Sequence, residues 1–494
     1  MYKFFCSRSP RLGGVGLKAG GGLVNVGQPT PTPPKRGIER LASLRNEGSI
    51  LLYVMVFGAL AFSFVVTIAA TYTTSEYKAT VYRENREKAF QIAESGINYY
   101  VWHLAKNGLD FTDGTTTPQP YVHEFKNNNG DVIGYFSLII TAPSGTSTQA
   151  IVESTGWLSN QTQSRRTIRA KFTPHSLTDY AYVSNTSVWI GNDDVVHGKL
   201  HSNSGVRFDG TTDAPVTSAV LEYECTPIHG SGCQNETKPG IWGQGGPETF
   251  WSFPVPAEDF SGGTEALTLI KASAQAYGDG SYFSSSGKYG WLLHFTSDGN
   301  FTASKVNAVN SYKGDDPDGD NNVWFTVDVK TTDAGTTYPL PSNGLIYVDD
   351  TTWVDGVVNG NVTVGVANGK DIIFNNNFTY FKRDGSSNVG LVSGQDIIIP
   401  HDVPETLTLD GALFTGNGAA KRYYYSGDKR DQLNLYGSIA SAGAWTWHYV
   451  SQGGSIVSGF ESVSSTYDNH LTNNPPLGFP HSSIYAISSW EEVH

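Results

Sequence analysis

Cysteine and the familiar catalytic motifs are scarce in this 494-residue chain. It contains three cysteines, Cys6, Cys225 and Cys233, and no second pair of Cys or His residues follows at the spacing of a zinc site. It has no G-x-S-x-G or H-E-x-x-H motif, and no cysteine stands in the context of a nucleophile. Zinc proteins and motif-bearing hydrolases are therefore not indicated, and we expect the chain not to be an enzyme.

Charged residues are also few, at 16% of the chain, and their signs are unevenly distributed. Residues 1–48 contain eight Lys or Arg and two Glu, a net charge of +6, so from the total of -13 the remaining chain carries -19. An acidic exterior of this kind repels nucleic-acid phosphates, so we expect no direct nucleic-acid binding. The basic residues predict that the N-terminal end stays in the cytoplasm and the rest is sent outward.

A run of 22 uncharged residues, Ser49 to Ala70, is the clearest local feature. At about 1.5 Å per residue, a helix of this length spans roughly 33 Å, which is enough to cross a bilayer. The helical pattern continues beyond it, because apolar residues recur at steps of three and four: Phe90, Ala93, Ile97, Val101 and Leu104. A secretory signal would end in a cleavage site, so we expect one helix over residues 49–107 instead.

Gly48 stands directly before the apolar run, basic residues precede it, and the segment AFQIAESG follows at 89–96. In these features the chain resembles type IV pilins and type II secretion pseudopilins, especially PilX-type minor pilins and the K-type tip pseudopilin. The resemblance implies cleavage between Gly48 and Ser49 by a prepilin peptidase, and assembly with other pilin or pseudopilin subunits. Tyr53 is the fifth residue after this cut, where major pilins have glutamate, which implies a tip or initiating subunit.

Cys225 and Cys233 flank a loop rich in Pro and Gly, within ECTPIHGSGC. In an exported chain an even pair of this kind predicts one disulfide that closes the loop. Two free thiols, or half of a metal site with the nearby His229, are the alternatives.

The composition after the helix favours a β-rich domain, since the chain has 55 Gly, 26 Tyr, 24 Phe and 11 Trp. Strand-like runs at 135–141, 150–158 and 165–172 are separated by polar turns and predict an antiparallel meander. From about Ser176, short β-branched segments alternate with Gly and Asn, and GKDIIF at Gly369 recurs as GQDIII at Gly394. This interval favours a right-handed β-solenoid over a sandwich.

Residues 250–335 differ in pattern, with a helix expected at 264–277 and strands around 291–295 and 323–329, and predict an α+β insertion. Its acidic run GDDPDGDNN contains alternating oxygen ligands suited to calcium: Asp316, Asp318, Asp320 and Asn322. The glycine and the bidentate glutamate of an EF-hand loop are missing, so a calcium site and a solvated acidic turn are both open.

Three further groups of side chains have two interpretations each. His197 and His201 share a strand face and suit a metal pair, but we interpret them as turn residues of stacked strands. Aromatic residues at 423–425 and 445–449, with Trp490, suit an adhesive surface or a stacked core. Charged residues that a glycan-cleaving β-helix would need, but that also cap loops, are Asp349, Asp350, Asp355, Lys421, Arg422, Lys429 and Arg430.

We therefore predict an α+β chain with a long membrane-spanning helix, a small antiparallel meander and a mostly-β domain. The expected segments are a cleaved leader at 1–48, the helix at 49–107, the meander at 108–175, the solenoid at 176–249 and 336–472, the insertion at 250–335, and a capping tail at 473–494. The leader lacks apolar periodicity, so it is disordered or its start codon is misassigned.

The predicted function is a tip-type minor pilin or pseudopilin, anchored in the cytoplasmic membrane and then assembled into a surface filament with its head outside. A membrane-anchored adhesin that does not polymerise is the main alternative. An anchored β-helix enzyme acting on glycans is a weaker one, and processing after Gly48 separates both from the first.

Overall fold

The computed structural model describes residues 47–493, apart from 108–109, 144–148, 231, 318 and 452, and leaves out the side chains of 47–49, 175, 483 and 484. Most of the predicted leader and the candidate ligand Asp318 thus lie outside the described residues. The chain divides into two units, the first ending at Lys78 and the second beginning at Ala79. One helix, Glu47–Lys106, begins in the first unit and ends in the second.

In the first unit, every described side chain from Ile50 to Lys78 is exposed. The large apolar side chains are no exception, since Phe62 is 71% and Met55 69% exposed. A helix that is apolar on all sides and unburied matches the environment of lipid rather than water. It is long and apolar enough to cross a membrane.

In the second unit, the end of the same helix packs on an antiparallel sheet. Ile92, Ala93, Ile97 and Leu104 are buried in one cluster with apolar residues of the sheet. The strands, in the order in which they pair, are Tyr121–Lys126, Val132–Thr141, Ala150–Leu158, Gln161–Ser176 and His481–Val493. The predicted helix and small antiparallel sheet are confirmed, and the sheet has a strand added on each side of the three expected ones.

Glycines allow the helix to lie very close to this sheet. A Cβ atom on Gly156 would lie 2.3 Å from the carbonyl oxygen of Ala89 and 2.4 Å from the backbone nitrogen of Ala93. A Cβ atom on Gly96, on the helix itself, would lie 2.2 Å from Oγ of Ser154. Because the closest atoms at Gly156 belong to backbone, a side chain there would require the helix to move.

The last strand differs from the capping tail expected at 473–494. His481–Val493 pairs antiparallel with Gln161–Ser176 and so returns the chain to the first sheet. Residues just before it, including Leu471 and Phe479, do bury apolar side chains against the larger β region. This strand was not predicted, because strand propensity alone does not identify a pairing partner.

The larger β region is built from three ladders of parallel strands. The first contains, in order of pairing, Tyr282–Phe283, Leu345–Val348, Asn361–Val366, Asn388–Ser393, Thr406–Thr415, Lys429–Ser441, Tyr182–Ser184, Leu200–Ser202, Val216–Ser218 and Trp251–Ser252. The second contains Gly290–Thr296, Thr352–Val358, Ile372–Tyr380, Ile397–Ile399 and Ala420–Arg422, and separately Val188–Ile190, Val206–Phe208 and Ile241–Trp242. The third contains Thr406–Thr415 and Lys429–Ser441 again, then Ile456–Tyr467, Val195–His197 and Thr211–Thr212.

Side chains from all three ladders form one apolar core, with Val364 from the first, Phe374 from the second and Leu407 from the third. The recurring text at Gly369 and Gly394 marks neighbouring strands, because Ile372 is paired with Ile397 and Ile373 with Ile398. Near-continuous β-branched and aromatic runs are what strands buried in parallel ladders require.

The strands do not stack in chain order. Ile439 is paired with Tyr182, so the early strands of residues 182–252 are added beyond the late strands of residues 406–467. The chain then returns to the other end of the first ladder, at Tyr282–Phe283, through the helix Gly262–Tyr277. That helix, predicted at 264–277, buries Leu267, Ile270 and Ala274 against the outer face of the first ladder.

The remaining elements are hairpins and short turns at the rim of the ladders. Within the predicted insertion, Asn300–Gly314 pairs antiparallel with Gly290–Thr296, Val323–Thr332 and Thr336–Pro339. The other strands and single helical turns are Glu222–Cys225, Glu236–Pro239, His448–Val450, Leu177–Asp179, Pro227–His229, Glu248–Phe250 and Asn469–Thr472. Because Gly290–Thr296 also belongs to the second ladder, this strand is part of both the predicted insertion and the larger β region.

Candidate functional site: a cleft at the break in the second ladder

The second ladder is interrupted where the early and late strands meet. Thr446 forms a parallel bridge with Lys421, and the next strand of this face is Val188–Ile190. In the described part of the chain, no strand pairing joins these two. The other ladders continue across the same level, since Ser441 is paired with Ser184 and Ser464 with Val195.

A cleft opens at this break, with two adjoining chambers of about 580 and 610 Å³. Each lies within the range of roughly 300–1,000 Å³ typical of ligand pockets. Both chambers are lined by Trp189, Gly191, Pro227, Gly230, His448 and Val450. We call this feature the cleft.

One wall of the cleft is the loop between Cys225 and Cys233, which are joined by a disulfide. Arg207 holds this loop, because its Nη1 atom donates to the carbonyl oxygen of His229 at 2.6 Å. The Arg207 guanidinium also lies 4.5 Å above the ring of Trp189, a cation–π contact. Burial, and then the charge of Arg207, lower the pKa of His229 to about 4, so this wall carries a neutral imidazole at neutral pH.

Asp194 and His448 converge beside Gly191. A Cβ atom on Gly191 would lie 3.3 Å from Oδ2 of Asp194 and 3.4 Å from Nε2 of His448. Oδ2 of Asp194 accepts the backbone N–H of Gly191 at 2.8 Å. Oδ1 of Asp194 and Nδ1 of His448 are buried and have no hydrogen-bond partner among the described residues. Burial raises the pKa of Asp194, and His448 partly opposes this effect.

The acidic loop predicted as a calcium site forms another part of the wall, through Asp315, Asp316 and Asn321. The Nζ atom of Lys421 lies 3.0 Å from Oδ1 of Asp316 and 3.1 Å from Oδ2 of Asp396. Asp315 accepts the backbone N–H of Asn322 at 2.6 Å, which folds the loop back on itself. The loop is thus fixed by contacts within the protein.

The structure brings only part of the predicted calcium ligand set together. Asp316 faces Lys421, whereas Asp320 and Asn322 are exposed, and Asp318 is not described. Among the residues that the structure describes, no group of three His, Cys, Asp or Glu side chains is arranged to hold a metal. Calcium binding by this loop stays a prediction.

The two histidines considered as a metal pair have separate partners. Nδ1 of His197 lies 2.7 Å from Oδ2 of Asp213, and this pair is exposed. His201 is buried, with its two ring nitrogens 2.9 Å from Oγ1 of Thr217 and 2.9 Å from Oδ1 of Asn203. Each imidazole is therefore engaged in a local hydrogen bond on a different ladder.

The charged residues considered for glycan cleavage have separate partners, except that Arg422 and Arg430 both contact Asp428. Asp349 contacts Lys271 at 2.7 Å, and Asp355 contacts His294 at 2.6 Å. Asp350 accepts the backbone N–H of Ser286 at 2.9 Å. The remaining ones form ion pairs elsewhere: Arg422 and Arg430 with Asp428, Lys429 with Glu461, and Lys421 with Asp316.

Of the predicted aromatic groups, Tyr424, Trp445, Trp447, His448 and Tyr449 all line the cleft, whereas Trp490 lies on the antiparallel sheet. Sequence reasoning missed Trp189, Asp194 and Arg207. No local signal marks them, because their partners at 445–449 are far away along the chain and meet them only through the pairing of Ile439 with Tyr182. Gly48 and Ser49 lie in the first turn of the long helix.

No protein-family model matches the sequence, and no curated protein matches it. Among solved structures, the chain is similar to the competence-associated pilin ComZ from Thermus thermophilus, with 12% sequence identity over 83% of this chain and 97% of that chain, at a TM-score of 0.27.

Proposed function

We propose that this chain is a membrane-anchored, pilin-type subunit that is incorporated at the tip of a type IV pilus-like or secretion filament. The observation that carries the proposal is the helix Glu47–Lys106, which has two different environments along one element. Its first part is apolar and exposed from Ile50 onward, and its last part is buried under an antiparallel sheet. A membrane anchor that only tethers a domain does not need a helix that continues from the apolar segment and packs on the sheet of that domain.

The chemistry of the N-terminal junction supports the same proposal. Gly48 and Ser49 stand at the start of the helix, where the resemblance places the prepilin peptidase cut. Eight Lys or Arg in residues 1–48 favour a cytoplasmic N-terminus. Removal of this leader would free the helix to leave the bilayer laterally and join a filament.

The size of the head supports a rare position. After the helix, the chain continues from Asn107 to His494, with the larger β region as its main part. We infer that the three parallel ladders form a β-solenoid head displayed outside the cell. A head of this size at every position would crowd a thin filament, and Tyr53 replaces the glutamate of shaft subunits.

The proposal is tested by the composition of sheared filaments. We expect a few copies of this chain per filament, and none when the prepilin peptidase gene is deleted. Recovery as the principal filament protein would contradict the tip position, and recovery only in the membrane fraction would contradict incorporation.

The second candidate function, an anchored adhesin that does not polymerise, is favoured by the cleft with its aromatic lining. It requires no cut after Gly48 and predicts an intact leader on the surface-exposed protein.

A further inference from the structure

We propose that the cleft binds a neutral oligosaccharide. The proposal goes beyond filament assembly, because it concerns only side chains of the second unit and holds whether or not the chain polymerises.

Two residues that line the cleft each have one buried polar side-chain atom without a hydrogen-bond partner in the described part of the protein. The atoms are Oδ1 of Asp194 and Nδ1 of His448. A buried polar atom without a hydrogen bond costs free energy, typically about 1–3 kcal/mol. A sugar hydroxyl both donates and accepts, so sugar hydroxyls suit both a carboxylate oxygen and an imidazole nitrogen.

Aromatic side chains stand beside these polar atoms. Trp189 lines both chambers, and Tyr424 and Tyr449 pack edge to face with centroids 5.4 Å apart in the lining of one of them. The C–H bonds on one face of a pyranose ring carry partial positive charge and pack on the negative face of an aromatic ring. Ile228 is 62% exposed and lies in the lining, which adds apolar surface accessible from solvent.

The spacing of the strands excludes a peptide that binds by adding a strand. Ser441 with Ser184, and Ser464 with Val195, remain in paired-strand register on the two sides of the break. Paired strands lie about 4.8 Å apart, so a further strand cannot be inserted at this level. A ligand at the break must therefore contact side chains and cannot pair with the backbone as an added strand.

The carboxylates around the cleft disfavour an anionic ligand. Asp193 and Asp194 lie on one wall and Asp315 and Asp316 on another. The cation Arg207 is already engaged by Asp209, with Nε to Oδ2 at 2.7 Å. A carboxylate or sulfate group would therefore enter a negative field whose described lining offers no Lys or Arg other than Arg207, whereas a neutral sugar carries no such penalty.

The test uses the full chain in lipid nanodiscs, labelled with a fluorophore, on an array of neutral oligosaccharides. The array carries hexose and N-acetylhexosamine oligomers of two to six units, with sialylated and uronate-containing glycans and a peptide library as separate arms. We expect binding to a subset of the neutral glycans and competition by the same glycan in solution. No binding to any neutral glycan, preference for anionic glycans, or binding to peptides alone would each overturn the proposal.

Asp194→Asn is the decisive variant, because the amide oxygen keeps the bond from the Gly191 N–H while the unpaired acceptor is lost. We expect binding to the selected neutral glycan to weaken at least about tenfold. The matched control Asp298→Asn, in an exposed turn with Thr296 and Asn300, is expected to bind like the wild type. Ile228→Glu tests the same cleft without disturbing buried groups and is expected to weaken binding several-fold. Wild-type binding by both cleft variants would overturn the proposal.

Discussion

The Nζ atom of Lys421 lies 3.0 Å from Oδ1 of Asp316 and is almost completely buried, with 3% of the lysine side chain exposed. It also contacts Asp396 at 3.1 Å, so one buried cation joins the acidic loop to the second ladder. Two carboxylates around one ammonium compensate for its removal from water.

Replacing this cation is expected to destabilise the second unit. Lys421→Met removes the ammonium that both Asp316 and Asp396 contact, and breaking a buried pair in this way costs about 3–5 kcal/mol. The measurement is the thermal unfolding midpoint of the full chain. As a control, Lys429→Met removes an exposed contact to Glu461 and should cost less than about 1 kcal/mol. Equal midpoints for the two variants would contradict the role of Lys421.

The same variant tests calcium binding at the acidic loop. If the loop binds calcium, removal of the competing ammonium should increase the calcium-dependent rise in the unfolding midpoint of Lys421→Met relative to the wild type. Asp318→Ala should abolish the rise in both backgrounds. Identical melting with calcium and with EGTA in wild type and variant, and no heat in calorimetry, would leave a solvated acidic turn as the correct interpretation.

The close approach at Gly156 predicts a strong effect of one methyl group. Gly156→Ala would place Cβ 2.3 Å from the carbonyl oxygen of Ala89, so the helix must shift away from the sheet. Overpacking of this kind costs about 1–3 kcal/mol. Gly453→Ala, whose new atom meets only Oγ of Ser451 at 3.7 Å, is the matched control. The unfolding midpoint should fall for the first variant alone.

The disulfide between Cys225 and Cys233 should stabilise one wall of the cleft. Closing a loop this short stabilises a protein by about 2–3 kcal/mol in the chain-entropy model. The double variant Cys225→Ala, Cys233→Ala is expected to unfold at lower temperature and to become sensitive to proteases within residues 226–232. Unchanged melting and unchanged protease resistance would show that Arg207 and the surrounding packing hold the loop without the disulfide.

A buried carboxyl predicts a specific pH dependence of stability. Burial raises the pKa of Asp328 from 3.8 to about 6. Its contribution to stability is therefore fully present below about pH 4 and is lost as the pH rises through about 6, because the folded state must then hold a buried charge. Asp328→Asn keeps an acceptor for the backbone N–H of Asp402, which lies 2.6 Å from Oδ1, and has no proton to lose.

The stability of Asp328→Asn relative to the wild type should accordingly rise between pH 4 and pH 6, by on the order of 2 kcal/mol. Unfolding midpoints of both proteins at several pH values in this range give the comparison. Parallel curves for the two proteins would refute the assignment.

Local patterns were enough to predict the long helix and part of the β structure. The spacing of Ala93, Ile97 and Leu104 predicted the buried stripe of the long helix, and strand-like runs between polar turns predicted three of the five strands of the antiparallel sheet. The repeated text at Gly369 and Gly394 correctly indicated neighbouring strands, because Ile372 is paired with Ile397. These features depend on residues close together in the chain.

The stacking order and the cleft could not be predicted in this way. The pairing of Ile439 with Tyr182 depends on which ladder edge is free after the chain has folded, and neither segment encodes its partner locally. The convergence of Asp194 with His448 is a consequence of that pairing. The sequence of the acidic loop predicts a set of calcium ligands. It does not show that one of them, Asp316, faces Lys421.

The most direct measurement of the central claim is the N-terminal sequence of the protein recovered from cells with and without a prepilin peptidase. A pilin-type subunit predicts a mature chain that begins at Ser49 when the peptidase is present, and an intact leader when it is absent. A leader that remains in both strains, or a cut after Ala70, would contradict the account.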